Sequence, residues 1–136
     1  LGIGAGVTWT SGSTLTMFGG TAILNSPPDT LSLSNGAVAS IATDQLTWPT
    51  VTAQGESILN WLAGGTITTL TLSNGSTLDK SNDARSLTIT SSTIDGDTCV
   101  ITDPLNAITW TNPTSVKQQV TAGPFQFTGT RTVRVV

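Results

Sequence analysis

The residues best equipped for chemistry in this sequence are carboxylates, and five lie close together: Asp79, Asp83, Asp95, Asp97 and Asp103. Two carboxylates at a suitable separation can hydrolyse a glycosidic bond, with one as acid and the other as base or nucleophile. The chain has no histidine and no tyrosine. This excludes Ser-His-Asp and Cys-His catalysis and histidine-ligated metal sites. We therefore predict a protein that is not an enzyme.

Asp95-Gly96-Asp97 resembles a fragment of a calcium-binding loop, because it places hard oxygen ligands two residues apart. An EF-hand loop would end in Glu at its twelfth position, where this chain has Asn106. Ordinary Asx turns account for the same residues. We predict neither a resident metal nor a cofactor, and we predict that the single cysteine, Cys99, is a buried apolar residue.

The composition excludes two classes of partner. The net charge is −3 with only five Lys and Arg residues, whereas nucleic-acid binding needs clustered basic side chains. Only Arg131 and Arg134 lie near each other in the sequence, and an anionic membrane is excluded on the same ground. Ser and Thr supply 41 of the 136 residues and charged residues only 10%. This composition predicts a folded protein whose surface carries hydroxyl groups instead of charges.

A short repeat defines the predicted architecture: an apolar residue, a Thr or Ser, and a second apolar residue. Alternate side chains of a strand point to opposite faces, so each triplet directs two apolar groups inward and one hydroxyl outward. The triplets begin at Leu15, Leu31, Leu46, Leu70, Leu87 and Ile108. Their hydroxyl residues are expected to form one outward column: Thr16, Ser32, Thr47, Thr71, Thr88 and Thr109.

Bends follow several triplets, as in Asn35-Gly36, Asn74-Gly75 and Gly19-Gly20, where positive φ angles are tolerated. Strand, bend and second strand, repeated along the chain, predict an all-β fold: a β-solenoid, or parallel β-helix, of about six rungs. The alternative is an antiparallel β-sandwich or jelly roll with Asn-Gly hairpins. We expect a single domain over residues 1–136, with rungs over about 7–112.

Two segments depart from the repeat. Ile58, Trp61 and Leu62 have helical i, i+3, i+4 spacing, and Gly64 could end such a helix, so we predict one short helical insertion. Residues 113–136 are predicted to form a closing hairpin or a pairing strand. The candidate interface residues lie in these two segments: Trp61, Ile58, Leu62, Arg131, Val133 and Val135. Trp48 and Trp110 occupy inward triplet positions and are expected in the core.

The rungs Leu31-Ser32-Leu33-Ser34-Asn35-Gly36 and Leu70-Thr71-Leu72-Ser73-Asn74-Gly75 resemble those of pectate-lyase-like right-handed parallel β-helices. They are most similar to the solenoid modules of bacteriophage tailspikes, fibres and head-decoration proteins. The resemblance implies a homo-oligomer, commonly a trimer. The enzymes among these folds pair aspartates with an essential histidine, which is absent here, or use a basic residue, for which Arg85 is the candidate.

The hydroxyl column raises the question of ice binding. A flat Thr lattice suited to ice would place Thr at both outward positions of each strand. With the triplets aligned as above, only Thr88 with Thr90 and Thr109 with Thr111 meet this condition, because Phe18 and Pro49 interrupt other rungs. We therefore expect an ordinary soluble β face.

These observations predict a non-enzymatic virion structural protein that contacts copies of itself and other virion proteins. The alternative is an extracellular or cell-surface adhesin, or a carbohydrate-binding solenoid, with a glycan as its partner. The two hypotheses share the fold and differ in location and in what the surface binds.

Overall fold

The chain forms a parallel β-solenoid of about five turns. The computed structural model describes residues 2–3, 8–95 and 99–111, and the backbone of 114–116, 121–122, 126–127 and 132–133. Its strands are β1 (Gly2–Ile3), β2 (Thr14–Phe18), β3 (Thr21–Leu24), β4 (Thr30–Ser34), β5 (Val38–Ile41), β6 (Leu46–Ala53), β7 (Ile58–Trp61), β8 (Gly65–Ser73), β9 (Thr77–Asp79), β10 (Leu87–Asp95), β11 (Val100–Thr102), β12 (Ile108–Trp110), β13 (Thr114–Val116), β14 (Thr121–Ala122), β15 (Gln126–Phe127) and β16 (Thr132–Val133).

The strands build two sheets in which every described pair is parallel. One sheet has the order β1-β3-β5-β7-β9-β11-β14, and the other β15-β12-β10-β8-β6-β4-β2. Strands adjacent in a sheet come from successive turns of the chain, as expected when each turn covers the one before it. The antiparallel alternative is therefore wrong, and the predicted all-β solenoid is confirmed.

The solenoid has three faces, because the long strands β6, β8 and β10 each bend in the middle. At the bend two successive residues point outward: Pro49-Thr50, Thr68-Thr69 and Thr90-Ser91. Face 1 consists of 46–48, 65–67, 87–89 and 108–110. Face 2 consists of 14–18, 30–34, 50–53, 69–73 and 91–95, and face 3 of 21–24, 38–41, 58–61, 77–79 and 100–102.

The core is a set of apolar side chains stacked from turn to turn. On face 3, Ala22, Ala39, Leu59 and Leu78 are successive partners and are fully or almost fully buried. Each buried Leu or Ile contributes about 1.5–3 kcal/mol relative to an exposed one. Since a single turn has no apolar layer above or below it, this stabilisation depends on stacking.

The register corrects one feature of the predicted repeat. Leu15, Leu31 and Leu70 lie on face 2 in one inward column, completed by Val51 and Ser92. The triplets that begin at Leu46, Leu87 and Ile108 instead stack on face 1, with Gly65 between the first two. The six triplets therefore form two columns, which explains their unequal spacing along the sequence.

The predicted helical insertion is wrong, since residues 58–61 are strand β7 and no helix occurs in the part of the chain described here. Leu59 and Trp61 point inward, whereas Ile58 is exposed. A helix this short is marginal, and in its place β7 pairs with β5 on one side and β9 on the other. Accordingly, no helix able to cross a membrane is found among these residues.

The described strands after residue 112 pair in parallel with the preceding turns. β14 pairs with β11, β15 with β12, and β16 with β13. The backbone ladder thus continues into this segment. Arg131 and Val135 lie outside the described residues, and of Val133 only the backbone, in β16, is described.

The bends between faces 2 and 3 are stacked turns with positive φ. Asn35-Gly36 and Asn74-Gly75 adopt this conformation as predicted, and Gly55-Glu56 fills the turn between them. Backbone hydrogen bonds join neighbouring turns: Gly36 N–H donates to Gly55 O at 2.8 Å, and Glu56 N–H to Asn74 O at 2.9 Å. The bends therefore extend the sheet ladder around the corner.

Gly65 provides a sharp test of this packing. A Cβ at Gly65 would clash with the backbone oxygen of Leu46, and the φ of +128° is one that L side chains rarely adopt. We expect Gly65→Ala to lower the free energy of unfolding by about 3 kcal/mol or more, at the upper end of single-substitution effects. Chemical denaturation followed by circular dichroism measures this loss.

Gly36→Ala is the matched control. Gly36 also has positive φ (+71°), but a Cβ there meets nothing within 4 Å. Its loss should be limited to the backbone strain of about 1–2 kcal/mol. Equal losses in the two variants would contradict the close approach of β6 and β8 at Gly65.

Candidate functional site

Two features distinguish the surface: a charged cluster at one corner and an array of hydroxyl groups on face 2. The charged cluster lies at the corner where the chain passes from face 3 to the next strand, in the loops 42–45, 62–64 and 80–86. It contains Asp44, Lys80, Asp83 and Arg85. Because the loops belong to successive turns, residues about 20 positions apart become neighbours.

Asp83 is the centre of this cluster. Its Oδ1 accepts a hydrogen bond from Lys80 Nζ at 2.7 Å, and its Oδ2 accepts from Arg85 Nε at 2.9 Å and from a terminal guanidinium nitrogen at 2.7 Å. The hydrogen bonds from Arg85, and secondarily those from Lys80, hold the pKa of Asp83 far below its usual range. Asp83 is therefore a fixed anion, unsuited to donate a proton near neutral pH.

Arg85 joins the three loops. Its guanidinium also donates to the carbonyl of Leu62 and approaches Asp44 Oδ2 at 3.7 Å, while Asp44 Oδ1 accepts from the backbone N–H of Gly64 at 2.7 Å. The hydrogen bond to Asp83 raises the pKa of Arg85 above its already high value. Arg85 consequently stays protonated, which makes it a poor base for a lyase reaction.

Two charged side chains, Lys80 and Asp103, are buried at this corner, on successive turns. Lys80 is fully buried, and its Nζ also donates to the backbone oxygen of Asp83 at 2.9 Å. Asp103 is fully buried too, and its two carboxylate oxygens accept from the backbone N–H groups of Ala107 and Ile108 at 2.8 and 2.9 Å. Asp79 accepts from the N–H and hydroxyl of Ser81. The carboxylates of Asp79 and Asp103 therefore accept hydrogen bonds from residues of their own loops.

The remaining candidates for chemistry are placed as follows. Gly96 and Asp97 of the predicted calcium-loop fragment lie outside the described residues. No group of three or more His, Cys, Asp or Glu able to hold a metal is found among the residues that are described. Cys99 is buried, as predicted, with its Sγ 3.7 Å from the backbone oxygen of Asp95.

Of the interface candidates in the described region, Trp61 lies in the core. It is fully buried, and its ring meets Trp48 edge to face with centroids 5.6 Å apart. Leu62 is half-buried, while Ile58 is 36% exposed. Ile58 neighbours the outward Val38 on face 3, and Ile23 on the same face is 50% exposed. Helical spacing misplaced Trp61, whereas strand alternation around Leu59 would have found the correct orientation.

Face 2 presents the most regular surface. All five of its strand segments carry a hydroxyl residue at the first two outward positions, in the pairs Thr14 and Thr16, Thr30 and Ser32, Thr50 and Thr52, Thr69 and Thr71, and Ser91 and Thr93. The third outward position varies, with Phe18, Ser34, Ser73 and Asp95 in four of the segments. The ladder aligns them in two columns. All ten are exposed or half-buried.

This arrangement corrects the predicted hydroxyl column. Thr16, Ser32 and Thr71 share their column with Thr52 and Thr93, whereas Thr47, Thr88 and Thr109 lie on face 1 with Thr66. The condition of two outward hydroxyls per strand is met on five successive turns. The triplet pattern does not reveal these paired hydroxyls, because two of the turns have inward residues, Val51 and Ser92, that belong to no triplet.

Comparison of the chain with protein-family models, with curated proteins and with solved structures finds no match in any of the three. The contacts and surfaces described above are therefore the basis for any assignment of function.

The ion pair between the buried Lys80 and the half-buried Asp83 gives a first test of the charged cluster. Asp83→Asn leaves the Lys80 ammonium buried without a counter-charge, and we expect a loss of about 3–5 kcal/mol in the free energy of unfolding. The double variant Lys80→Met, Asp83→Asn removes both charges and should recover most of that loss. Denaturant titration measures both, and a double variant no more stable than the single one would contradict the pairing.

The lowered pKa of Asp83 makes a separate prediction about acid. A carboxylate whose pKa is depressed by folding stabilises the protein above its unfolded pKa of about 3.9, and that stabilisation is lost as the pH falls towards the folded pKa. The wild-type free energy of unfolding should therefore fall more steeply below about pH 4 than that of the double variant. Parallel slopes in urea titrations across this range would contradict the assignment.

Proposed function

We propose that the chain is a non-enzymatic structural module of a virion, such as a capsid decoration, fibre or spike, that acts through assembly contacts. The observation that carries the proposal is the continuous parallel ladder, with successive turns stacked over an apolar interior. Such a ladder opens only by breaking many backbone hydrogen bonds and exposing core residues together. This rigidity suits a mechanical role.

The disposition of the charged groups supports the same proposal. Asp79, Asp83 and Asp103 are occupied by hydrogen bonds within their own loops. Catalysis by paired carboxylates requires two such groups to face a substrate, one with a raised pKa. The pKa of Asp83 is shifted in the opposite direction.

Two kinds of surface could form the assembly contacts. The outermost strands of a sheet have backbone groups that pair with another chain, and β2 pairs only with β4 among the described strands. On face 3, Val38 and Ile58 are register partners, and Ile23 lies diagonally across from Val38 in the neighbouring column. This apolar stripe adds side-chain contacts, since exposed apolar groups gain by association. We propose a homo-oligomer, a trimer, in which this stripe is buried.

Sedimentation velocity tests the oligomer. The purified chain should sediment as a trimer, and Ile58→Asp should shift it to the monomer because a carboxylate would be buried in the contact. Thr47→Asp, at an exposed position of face 1, is the matched control and should leave the trimer intact. A monomeric wild-type chain at micromolar concentration would contradict this part of the proposal.

The location requires its own experiment. Virus particles are collected from the organism or sample that carries the coding sequence. Antibodies raised against the purified chain should label these particles in electron micrographs, and the label should be lost when the antibodies are first incubated with the purified chain. Labelling confined to cell envelopes would contradict the virion assignment and favour the surface adhesin.

A further inference from the structure

The two hydroxyl columns of face 2 form a lattice with two defined repeats. Paired residues on adjacent strands lie about 4.8 Å apart, and alternate residues along one parallel strand about 6.6 Å apart. Ten positions on five strand segments repeat this unit, and eight of them are Thr. The result is a two-dimensional array of identical groups held by the backbone ladder.

The ten hydroxyl groups are free to bind something else. None of them makes a side-chain hydrogen bond with another described residue, in contrast to Ser34 at the end of β4 and to Thr43 and Ser57 in loops. None of the ten positions carries a charge, and the one carboxylate among the described outward residues of face 2, Asp95, lies beside the array, at the end of β10. Threonine is also stiff at χ1, and little side-chain entropy is lost when it binds in one rotamer.

A single exposed hydroxyl gains almost nothing from a new hydrogen bond, because liquid water already supplies one. Only a partner with the same repeat in two directions can engage all ten groups at once and gain from their fixed spacing. Water oxygens on the prism faces of hexagonal ice repeat in one direction at a distance close to the spacing between strands. In the other direction they repeat at a distance somewhat longer than the spacing of alternate residues along a strand, and with only two columns this difference does not accumulate. The methyl groups of the threonines would hold the intervening water in place without competing for it.

We propose that face 2 is an ice-binding surface, and that the ligand of this chain is the ordered water lattice of ice. The inference does not depend on a virion location or on the face 3 oligomer contact. Other solids fit less well: the ten positions carry no aromatic ring of the kind that stacks on sugars, and Phe18, 79% exposed, lies at the margin of the first turn.

Ice-affinity partitioning tests the proposal directly. The purified full chain is mixed with buffer, ice is grown slowly on a cooled probe, and the protein in each fraction is measured by tryptophan absorbance. The wild-type chain should be enriched in the ice and should inhibit ice recrystallisation. Exclusion from the ice, as for an ordinary soluble protein, would overturn the proposal.

Substitutions locate the surface. Thr52→Tyr with Thr71→Tyr places two bulky rings at the centre of the array and should abolish both activities. Thr77→Tyr makes the same change on a half-buried outward strand position of face 3 and should leave both unchanged. Equal effects from the two variants would overturn the assignment to face 2. Circular dichroism confirms that each is folded, and Thr71→Tyr alone replaces the double variant if that fails to fold.

Two further measurements separate ice from other partners of the same face. Binding of the wild-type chain to powdered cellulose or chitin, with no enrichment in ice, would identify a polysaccharide surface and overturn the proposal. Loss of self-association in the Thr52→Tyr, Thr71→Tyr chain, with no ice enrichment of the wild type, would identify a contact between copies and overturn it as well. If Ile58→Asp leaves the oligomer intact, that result contradicts the proposed oligomer contact and leaves the ice-binding proposal unaffected.

Discussion

The parallel backbone ladder is the constraint on which the rest of the structure depends. Once two strands pair in register, the side chains of one turn take the inward or outward direction of their partners in the next. Leu31 points inward because Leu15 does, and Val51 follows both. The same rule aligns the outward hydroxyls, so that the order of face 2 follows from the packing of the core.

The low charge of the chain gives its few charged contacts a local role. Loops at one corner differ in length from turn to turn, and the ladder alone cannot fix them. Asp44, Asp83 and Arg85 join three of these loops by hydrogen bonds to each other and to the backbone. Lys80 is fully buried, so its ion pair with the half-buried Asp83 must offset the cost of removing the ammonium group from water.

The three faces have different surfaces although they share one core. Face 2 is a field of hydroxyls, face 3 carries an apolar stripe around Ile58, and face 1 has a single hydroxyl column through Thr66. A rigid module with unlike faces can bind a partner on one side while its copies meet on another. The proposed oligomer contact and the proposed ice surface are compatible for this reason.

The sequence by itself determined the fold class, the Asn-Gly bends, the core positions of Trp48 and Trp110 and the burial of Cys99, because strand alternation and turn chemistry are local properties. It could not determine which triplets stack, since the loop lengths that set the register vary and a strand can bend. The second hydroxyl column was missed on that account, whereas Trp61 was misplaced because the spacing of Ile58, Trp61 and Leu62 matched a helix. The contacts of Arg85 with Leu62 and Asp44 were likewise decided only by the tertiary structure, because stacking brings together loops that are far apart in the sequence.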